Sequence, residues 1–555
     1  MKKKATALGL TALTLAALTG CKSGTEVSSS DEELSLSEEA TSVYDPLDDD
    51  EIYLEKDPAK DYVYADSSNE NGSMNYEIFV RSFFDSNGDG IGDLNGVKAK
   101  LPYIADMGYK TIWLMPIFPS GSYHGYDVTN YYNVNSDYGT LEDFDSLVSE
   151  AKKYNIDIML DMVLNHCSLQ NPYFTQAFAD YKAGKTGEDS KADWFNFGSN
   201  GDHVYQGVYY ESKFDANMPD FNLDSEGVRA EMENIVKFWI NRGVKGFRLD
   251  AVLYYYYQVT NENVEFLNWL ADTCHKYDPD FYMVGECWVT SALLNTYFSS
   301  KCDSFFDFSL ASGGDNVCIS YLKGYGRIKN VSKNIEKNET ARKTKNPDAY
   351  SSYFLSNHDM DRISKNFTDE NTYKSACSFY TLLPGDAYTY YGEEIALKGT
   401  RGTNPDDQND VKRRLPMIWS KGDKTGECSF PDKTRLDLNT TVQVEEGVLD
   451  QQSKPFSLTN HYKMMIHIRN KYSWIKHATY KDLSSELNTG EYSVMAYSLS
   501  YEDEKIIVVH NFSSHNVEVT SPGTEIVDQI NTMHRIPELK DGKLRLAAHS
   551  SVILK

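Results

Sequence analysis

From about residue 74 to about residue 476 the chain alternates short, strongly apolar runs with stretches whose apolar residues recur every three or four positions. The first turn of the pattern is an apolar run at 76–80, then Leu94, Val97, Leu101, Ile104 and Met107 at helical spacing, then a second run at 111–115. That reads as strand, helix, strand. Further runs at 156–163, 245–250, 281–285, 304–308, 351–356 and 387–391 bring the strand candidates to eight, each followed by a helix candidate or a long loop. Eight β/α units argue for a closed (β/α)8 barrel of the TIM type, in which the chemistry stands on loops at the C-terminal ends of the strands. An open doubly wound sheet is the alternative that the same alternation allows.

Two departures from the alternation mark further units. After the third strand, residues 167–222 are rich in aromatic, Asn and Gly residues and too long for a simple connection, so they read as an inserted subdomain. Beyond residue 476 the periodicity changes to two, with Tyr492, Val494 and Ala496, then Ile506, Ile507, Val508 and Val509. This predicts an antiparallel β-sandwich. The barrel is expected over 73–166 and 223–475, and the C-terminal domain over 476–555.

The N-terminus reads as an address. Three lysines at 2–4, an apolar stretch and then Leu18-Thr-Gly-Cys21 form a signal-peptide pattern that resembles a bacterial lipobox, with 1–20 removed and Cys21 lipidated. Residues 22–70 carry 16 acids against 3 bases and few large apolar groups, so 21–72 is expected to be a solvated tether. The expected location is the envelope or outer surface of a bacterial cell. Seven cysteines follow Cys21 with no CxxC pair, which excludes a zinc ribbon and leaves at least one free thiol in an exported monomer. A net charge of −27 is a poor match for phosphate backbones, so nucleic acid is not an expected partner. Mean hydropathy of −0.53 and the lack of a long apolar run past the leader exclude a polytopic membrane protein.

Polar residues interrupt the ends of the strand candidates. The third ends Asp161-Met-Val-Leu-Asn165-His166, the fourth Gly246-Phe-Arg248-Leu-Asp250, the fifth Gly285-Glu286-Cys-Trp288 and the seventh Ser356-Asn-His358-Asp359. Placing carboxylates where buried strands emerge costs desolvation, which an active site can exploit. Asp250, Glu286 and Asp359 would meet at one barrel mouth. Paired carboxyl groups suit general acid/base work, in which one gives a proton as a carboxylic acid and another acts as the carboxylate. Arg248, two residues before Asp250 and so on the same strand face, can keep that carboxylate ionised.

These four segments, in order and spacing, resemble the short conserved regions of the α-amylase family, glycoside hydrolase family 13. A fifth, Met218-Pro-Asp-Phe-Asn222, lies at the end of the insertion. The resemblance spans about residues 74–555 and implies a retaining glycosidase acting on α-glucans, with Asp250 as nucleophile, Glu286 as general acid/base and Asp359 as the third acid. It implies hydrogen bonds from His166 and His358 to the sugar being cleaved. His124-Gly-Tyr126-Asp127 is similar to the family's stacking motif, with Tyr126 offering its ring to the sugar and Asp127 hydrogen-bonded near Arg248.

Asp85-Ser-Asn87-Gly-Asp89-Gly-Ile91-Gly-Asp93 places oxygen donors at alternate positions with glycines between and a carbonyl at Ile91, as a calcium ion requires. An EF-hand is excluded, since loop position twelve is Gly96. The segment resembles the calcium loop that follows the first barrel strand in several family members, so Ca2+ is the expected cofactor, with no organic one. Where many α-amylases carry Lys and His after Asp-Ala-x, this chain has Leu253 and Tyr254. The acceptor-side sugar contact and a second calcium site at Asn165 are open on that account. The Met-Pro-Asp-Phe-Asn segment stands between strict α-amylases and the neopullulanase and oligo-1,6-glucosidase branch. The expected activity is hydrolysis of α-1,4 bonds in starch or maltodextrin. Its rivals are a neopullulanase, cyclomaltodextrinase or transglycosylase of the same fold and, more remotely, a non-catalytic glucan-binding lipoprotein.

Overall fold

The computed structural model describes residues 73–311, 317–401, 407–430, 443–532 and 537–555. The expected leader, Cys21 and the acidic tether lie outside the described residues.

All eight strand candidates form strands: β1 Met74–Ile78, β2 Thr111–Leu114, β3 Asp157–Met162, then, after three short strands of the insertion, β7 Gly246–Leu249, β8 Tyr282–Gly285, β9 Ser304–Asp307, β10 Tyr350–Phe354 and β11 Asp386–Tyr390. They pair in parallel around a closed barrel in the order β1-β11-β10-β9-β8-β7-β3-β2. The open-sheet alternative is thereby excluded. Nearly every strand residue is buried because the barrel core lies on one face and the helix layer on the other. The outward residues Tyr76, Ile112, Leu160 and Phe247 pack beneath helices such as Leu141–Lys153 and Glu226–Asn241.

The inward face is layered. Trp113, Met159, Val284, Phe306, Phe354 and Tyr388 fill the barrel with one apolar plug. One step of two towards the C-terminal ends, β3 presents Asp161 and β7 presents Arg248, which are register partners. The period that makes the core apolar in one layer thus makes the next layer charged, directly under the mouth.

In the insertion, helix Pro172–Lys182 is followed by β4 Phe197–Gly198, β5 His203–Tyr205 and β6 Val208–Tyr210, which form a small antiparallel sheet. The C-terminal domain has a five-stranded antiparallel sheet, β12 Thr479–Asp482, β13 Val494–Tyr501, β14 Glu504–Asn511, β19 Ser550–Leu554 and β16 Ile526–Ile530. Facing it is a three-stranded sheet of β15 Val517–Thr520, β18 Lys543–Leu546 and β17 Glu538–Lys540. Val494, Ala496, Val509, Val517, Leu544 and Val552 make the core between the two sheets. The alternate residues of β13, Met495, Tyr497 and Leu499, belong to the core of the barrel unit. The seven cysteines among the described residues are all buried free thiols. No helix among those residues is long and apolar enough to cross a membrane.

Candidate active site

Leu249 of β7 and Gly285 of β8 are paired, so the residues that follow them, Asp250 and Glu286, leave adjacent strands side by side. Arg248, 1% exposed, lies beneath both. Its Nη1 donates to Asp250 Oδ1 at 2.6 Å and to Asp161 Oδ1 at 2.8 Å, while Nη2 lies 3.5 Å from Glu286 Oε2. Glu286 Oε2 also accepts from the backbone N–H of Ala251 at 2.9 Å. Ala251 holds φ +53°, a left-handed conformation that is costly for a residue with a Cβ. That conformation carries its amide to the Glu286 carboxylate.

One guanidinium therefore serves three carboxylates. Burial, helped by Asp161 and Glu286 and opposed by Arg248, pushes the Asp250 carboxyl up to about 8. Burial likewise raises Asp161 against the pull of Arg248. The surplus of negative charge in this cluster favours retention of a proton.

Asp359 lies in a different field. Burial alone would raise its carboxyl, but His358 and Arg414 outweigh burial and hold it well below the usual carboxylate range. His358 Nε2 is 2.9 Å from Asp359 Oδ2, and Arg414 Nη2 donates to Asp359 Oδ1 at 3.0 Å. The half-buried Tyr126 ring stacks on His358 at 5.8 Å between centroids and 21° between planes. Its hydroxyl donates to Asp161 Oδ2 at 3.0 Å and lies 2.7 Å from His358 Nε2.

His166 is buried, and its Nε2 makes no hydrogen bond. Burial pushes its ring down to about 4, so it is neutral near pH 7 and has a ring nitrogen to offer a hydroxyl. Its neighbour Asn165 donates to Asp220 Oδ1 at 3.0 Å, which ties β3 to the end of the insertion.

All eight residues expected at the mouth stand within this connected group or beside it, Asp127 close enough to His166 for its charge to be felt there. The expected hydrogen bond of Asp127 near Arg248 requires a correction. Asp127 accepts hydrogen bonds from the hydroxyls of Ser120 and Ser122, and the ion pairs of Arg248 among the described residues go to Asp161, Asp250 and Glu286. Asp161 sits directly across from Arg248 in the β3–β7 ladder, whereas Asp127 lies on a loop that folds back on its own serines. Sequence reasoning also missed Glu77, whose carboxylate meets His358 Nδ1, and Arg414. The signal for Glu77 was an acid between Tyr76 and Ile78, at an inward position of a buried strand. Arg414 had none, since it enters from a loop 55 residues beyond Asp359 in the chain.

In the loop at 85–93, Asp85 accepts from the N–H groups of Asn87, Gly88 and Gly90, Asn87 accepts from Asp89 and Asp89 from Ile91. Gly88 and Gly90 hold φ of +85° and +91°, so the loop curls tightly around its acidic side chains. Asp93 caps the helix Leu94–Ala99. No Lys or Arg among the described residues pairs with Asp85, Asp89 or Asp93. No three His, Cys, Asp or Glu side chains among those residues form a cluster that could hold a metal. A cation here would therefore depend on Asn87 and the Ile91 carbonyl as well as on the acids. The all-oxygen donor set fits a hard cation.

Residues 77–478 match the family model described as Alpha amylase, catalytic domain, and residues 494–553 match that of the Alpha-amylase SusG C-terminal domain. The chain belongs to the α-amylase family of glycoside hydrolases. It is 36% identical over 494 residues to Alpha-amylase 3 of Dictyoglomus thermophilum, covering 86% of this chain and 92% of that protein. It is 28% identical over 508 residues to Glucan 1,6-alpha-glucosidase of Streptococcus pneumoniae, covering 81% and 92%. Among solved structures, Eubacterium rectale Amy13B superposes with a TM-score of 0.80 at 36% identity, covering 87% of this chain and 95% of the other.

Proposed function

We propose that the protein hydrolyses α-1,4-glucosidic bonds of starch and maltodextrins by double displacement with retention. The observation that carries this reading is the placement of Asp250 and Glu286 on register-paired strand ends above one guanidinium. Neighbouring strands run about 4.8 Å apart. That spacing favours the roughly 5–5.5 Å carboxyl separation of a nucleophile and acid over the wider gap that leaves room for a water.

In the first step Asp250 attacks the anomeric carbon as its bond to the leaving oxygen breaks, and that oxygen takes the proton of Glu286. This step needs Asp250 as the anion that Arg248 steadies, whereas in the unliganded site burial pushes the Asp250 carboxyl up to about 8. In the second step Glu286 takes a proton from water, whose oxygen displaces Asp250 from the anomeric carbon. Two inversions give net retention. Asp359, kept ionised by His358 and Arg414, accepts hydroxyls of the distorted sugar. Tyr126 offers its ring face, and His166 offers its unpaired ring nitrogen.

A second reading within the family, α-1,6 cleavage or transglycosylation, is favoured by Phe214 and Tyr254, whose rings meet at 4.3 Å between centroids, with Tyr254 standing where the polar family motif is lost. The name of the Streptococcus pneumoniae relative agrees with it. Incubation with amylose, pullulan and cyclodextrin, with the products sized, separates the two. Rapid shortening of amylose with pullulan left intact is the expected result, and preferential opening of pullulan or cyclodextrin would replace it with the rival.

Asp85, Asn87, Asp89, Asp93 and the Ile91 carbonyl are proposed to hold one Ca2+, which would neutralise their mutual repulsion and brace the loop. Cys21 is proposed to carry lipid, holding an exported enzyme on the cell envelope through the acidic tether. A Cys21→Ser variant should leave the membrane fraction, and one that stays would place the anchor elsewhere.

A further inference from the structure

His358 touches an acid on each side. Nδ1 faces the carboxylate of Glu77, which is 1% exposed, and Nε2 lies 2.7 Å from the Tyr126 hydroxyl and 2.9 Å from Asp359 Oδ2. The hydrogen-bond partners set the proton on this side. Asp359, held ionised by Arg414 as well, can only accept, so His358 Nε2, 2.9 Å away, carries a hydrogen. With Glu77 ionised, Nδ1 must donate as well.

We propose that Glu77 is a positioning residue for Asp359: its carboxylate keeps His358 an imidazolium, whose Nε2–H fixes Tyr126 and Asp359 at the cleavage subsite. The proposal rests on the glycosidase reading above and deepens it. Glu77 comes from β1, on the far side of the barrel from Asp250, and touches the reacting groups only through the ring.

The charged and titratable groups around the ring make a consistent field. Glu77 approaches from β1 and Asp161 from β3, while Arg248 approaches from β7 and Asp359 from the loop that holds His358 itself. The loop after β11 supplies Arg414, whose Nε donates to the His358 carbonyl at 3.2 Å. Trp113 of β2 meets the ring edge-on at 5.6 Å and Tyr126 stacks on its face, and the His358 side chain is fully buried. Burial opposes charge on the ring, but Asp359 and Glu77 more than offset it and push His358 up to about 9. Burial raises the Glu77 carboxyl, and His358 opposes that rise. The alternative proton arrangement is a protonated Glu77 donating to a neutral ring, and it predicts a different spectrum.

The first test needs no variant and no activity. In protein labelled with 15N-histidine, with His358 assigned by comparison with His358→Gln, both ring nitrogens should show imidazolium shifts at pH 7.5. A neutral ring with one unprotonated nitrogen would overturn the proposal. The second test follows the same 15N signals against pH in wild type and Glu77→Gln. Removing the Glu77 charge should lower the pH at which the His358 ring loses its proton by about one unit or more. An unchanged His358 titration in a folded variant would also overturn the proposal. A wild type inactive on every glucan would sink the glycosidase reading, while the 15N shifts would still decide the state of His358.

Discussion

Three carboxylates share the guanidinium of Arg248, yet substitutions among them should not be equivalent. Glu286→Gln removes the proton donor and should slow cleavage of unactivated glucans by about 10²–10⁴-fold. It should be far less harmful on a glucosyl fluoride, whose leaving group needs little protonation. Asp250→Asn removes the attacking atom and should fail on both; equal impairment of Glu286→Gln on both substrates would undo the acid assignment. The ionisations also set a stability profile. His358, raised from 6.5 to about 9, contributes stability that is complete below pH 6.5 and lost as pH rises through about 9. Asp359, held below 3.8, contributes stability present above about pH 4 and lost as pH falls through its depressed value. Asp250, raised from 3.8 to about 8, acts in the opposite sense: its contribution is complete below about pH 4 and is lost as pH rises towards 8, while only the unfolded chain ionises. The unliganded protein should therefore lose Tm from pH 7 to 9. A Tm that rises over that interval would contradict these assignments. At this scale the sequence revealed Asp250, Glu286, Asp359 and Arg248, since each ends a legible strand. It hid Asp161 as the partner of Arg248, because that contact is set by cross-strand register and not by spacing along the chain.

Among the elements, the eight barrel strands were legible because burial on both faces leaves nearly continuous apolar runs. The short strands of the insertion were not, since β4, β5 and β6 have two or three residues each and no period to read. The loop at 85–93 shows the same limit in another form. Its alternating oxygen donors and glycines were plain in the sequence, while the extent to which its acids are already engaged by backbone N–H groups emerged only from the fold. Those bonds shape the loop but leave its negative charges without a basic counterpart among the described residues. If calcium supplies one, chelation should lower the Tm of wild type, and Asp89→Ala should melt at the chelated value with or without the ion. Unchanged melting of wild type in chelator would count against the site.

Across the whole molecule, the C-terminal domain is a structural partner of the barrel as well as a sandwich in its own right. Met495, Tyr497 and Leu499 of β13, with Ile506 and Val508 of β14, join the same core as the barrel and helix Leu458–Lys471. Arg469 on that helix is fully buried and donates to Ser73 Oγ at 2.7 Å and to the carbonyls of Thr381 and Leu383 at 2.6 and 2.8 Å, which locks the ends of β1 and β11 to it. Ending the chain at residue 478 would uncover this apolar face. The truncated enzyme should aggregate on expression, with no soluble monomer by size-exclusion chromatography. A soluble, active fragment would contradict the shared core. The change of period near residue 476 revealed that a β-domain exists, but not that one face of its first sheet belongs to the barrel.

The claim on which the account turns is that Asp250 is a nucleophile and not a base for water. Proton NMR of the first product released from maltoheptaose, read before mutarotation blurs it, tests that claim directly. Net retention predicts the α-anomer at the new reducing end; initial release of the β-anomer would contradict the double displacement and the role of Asp250 with it.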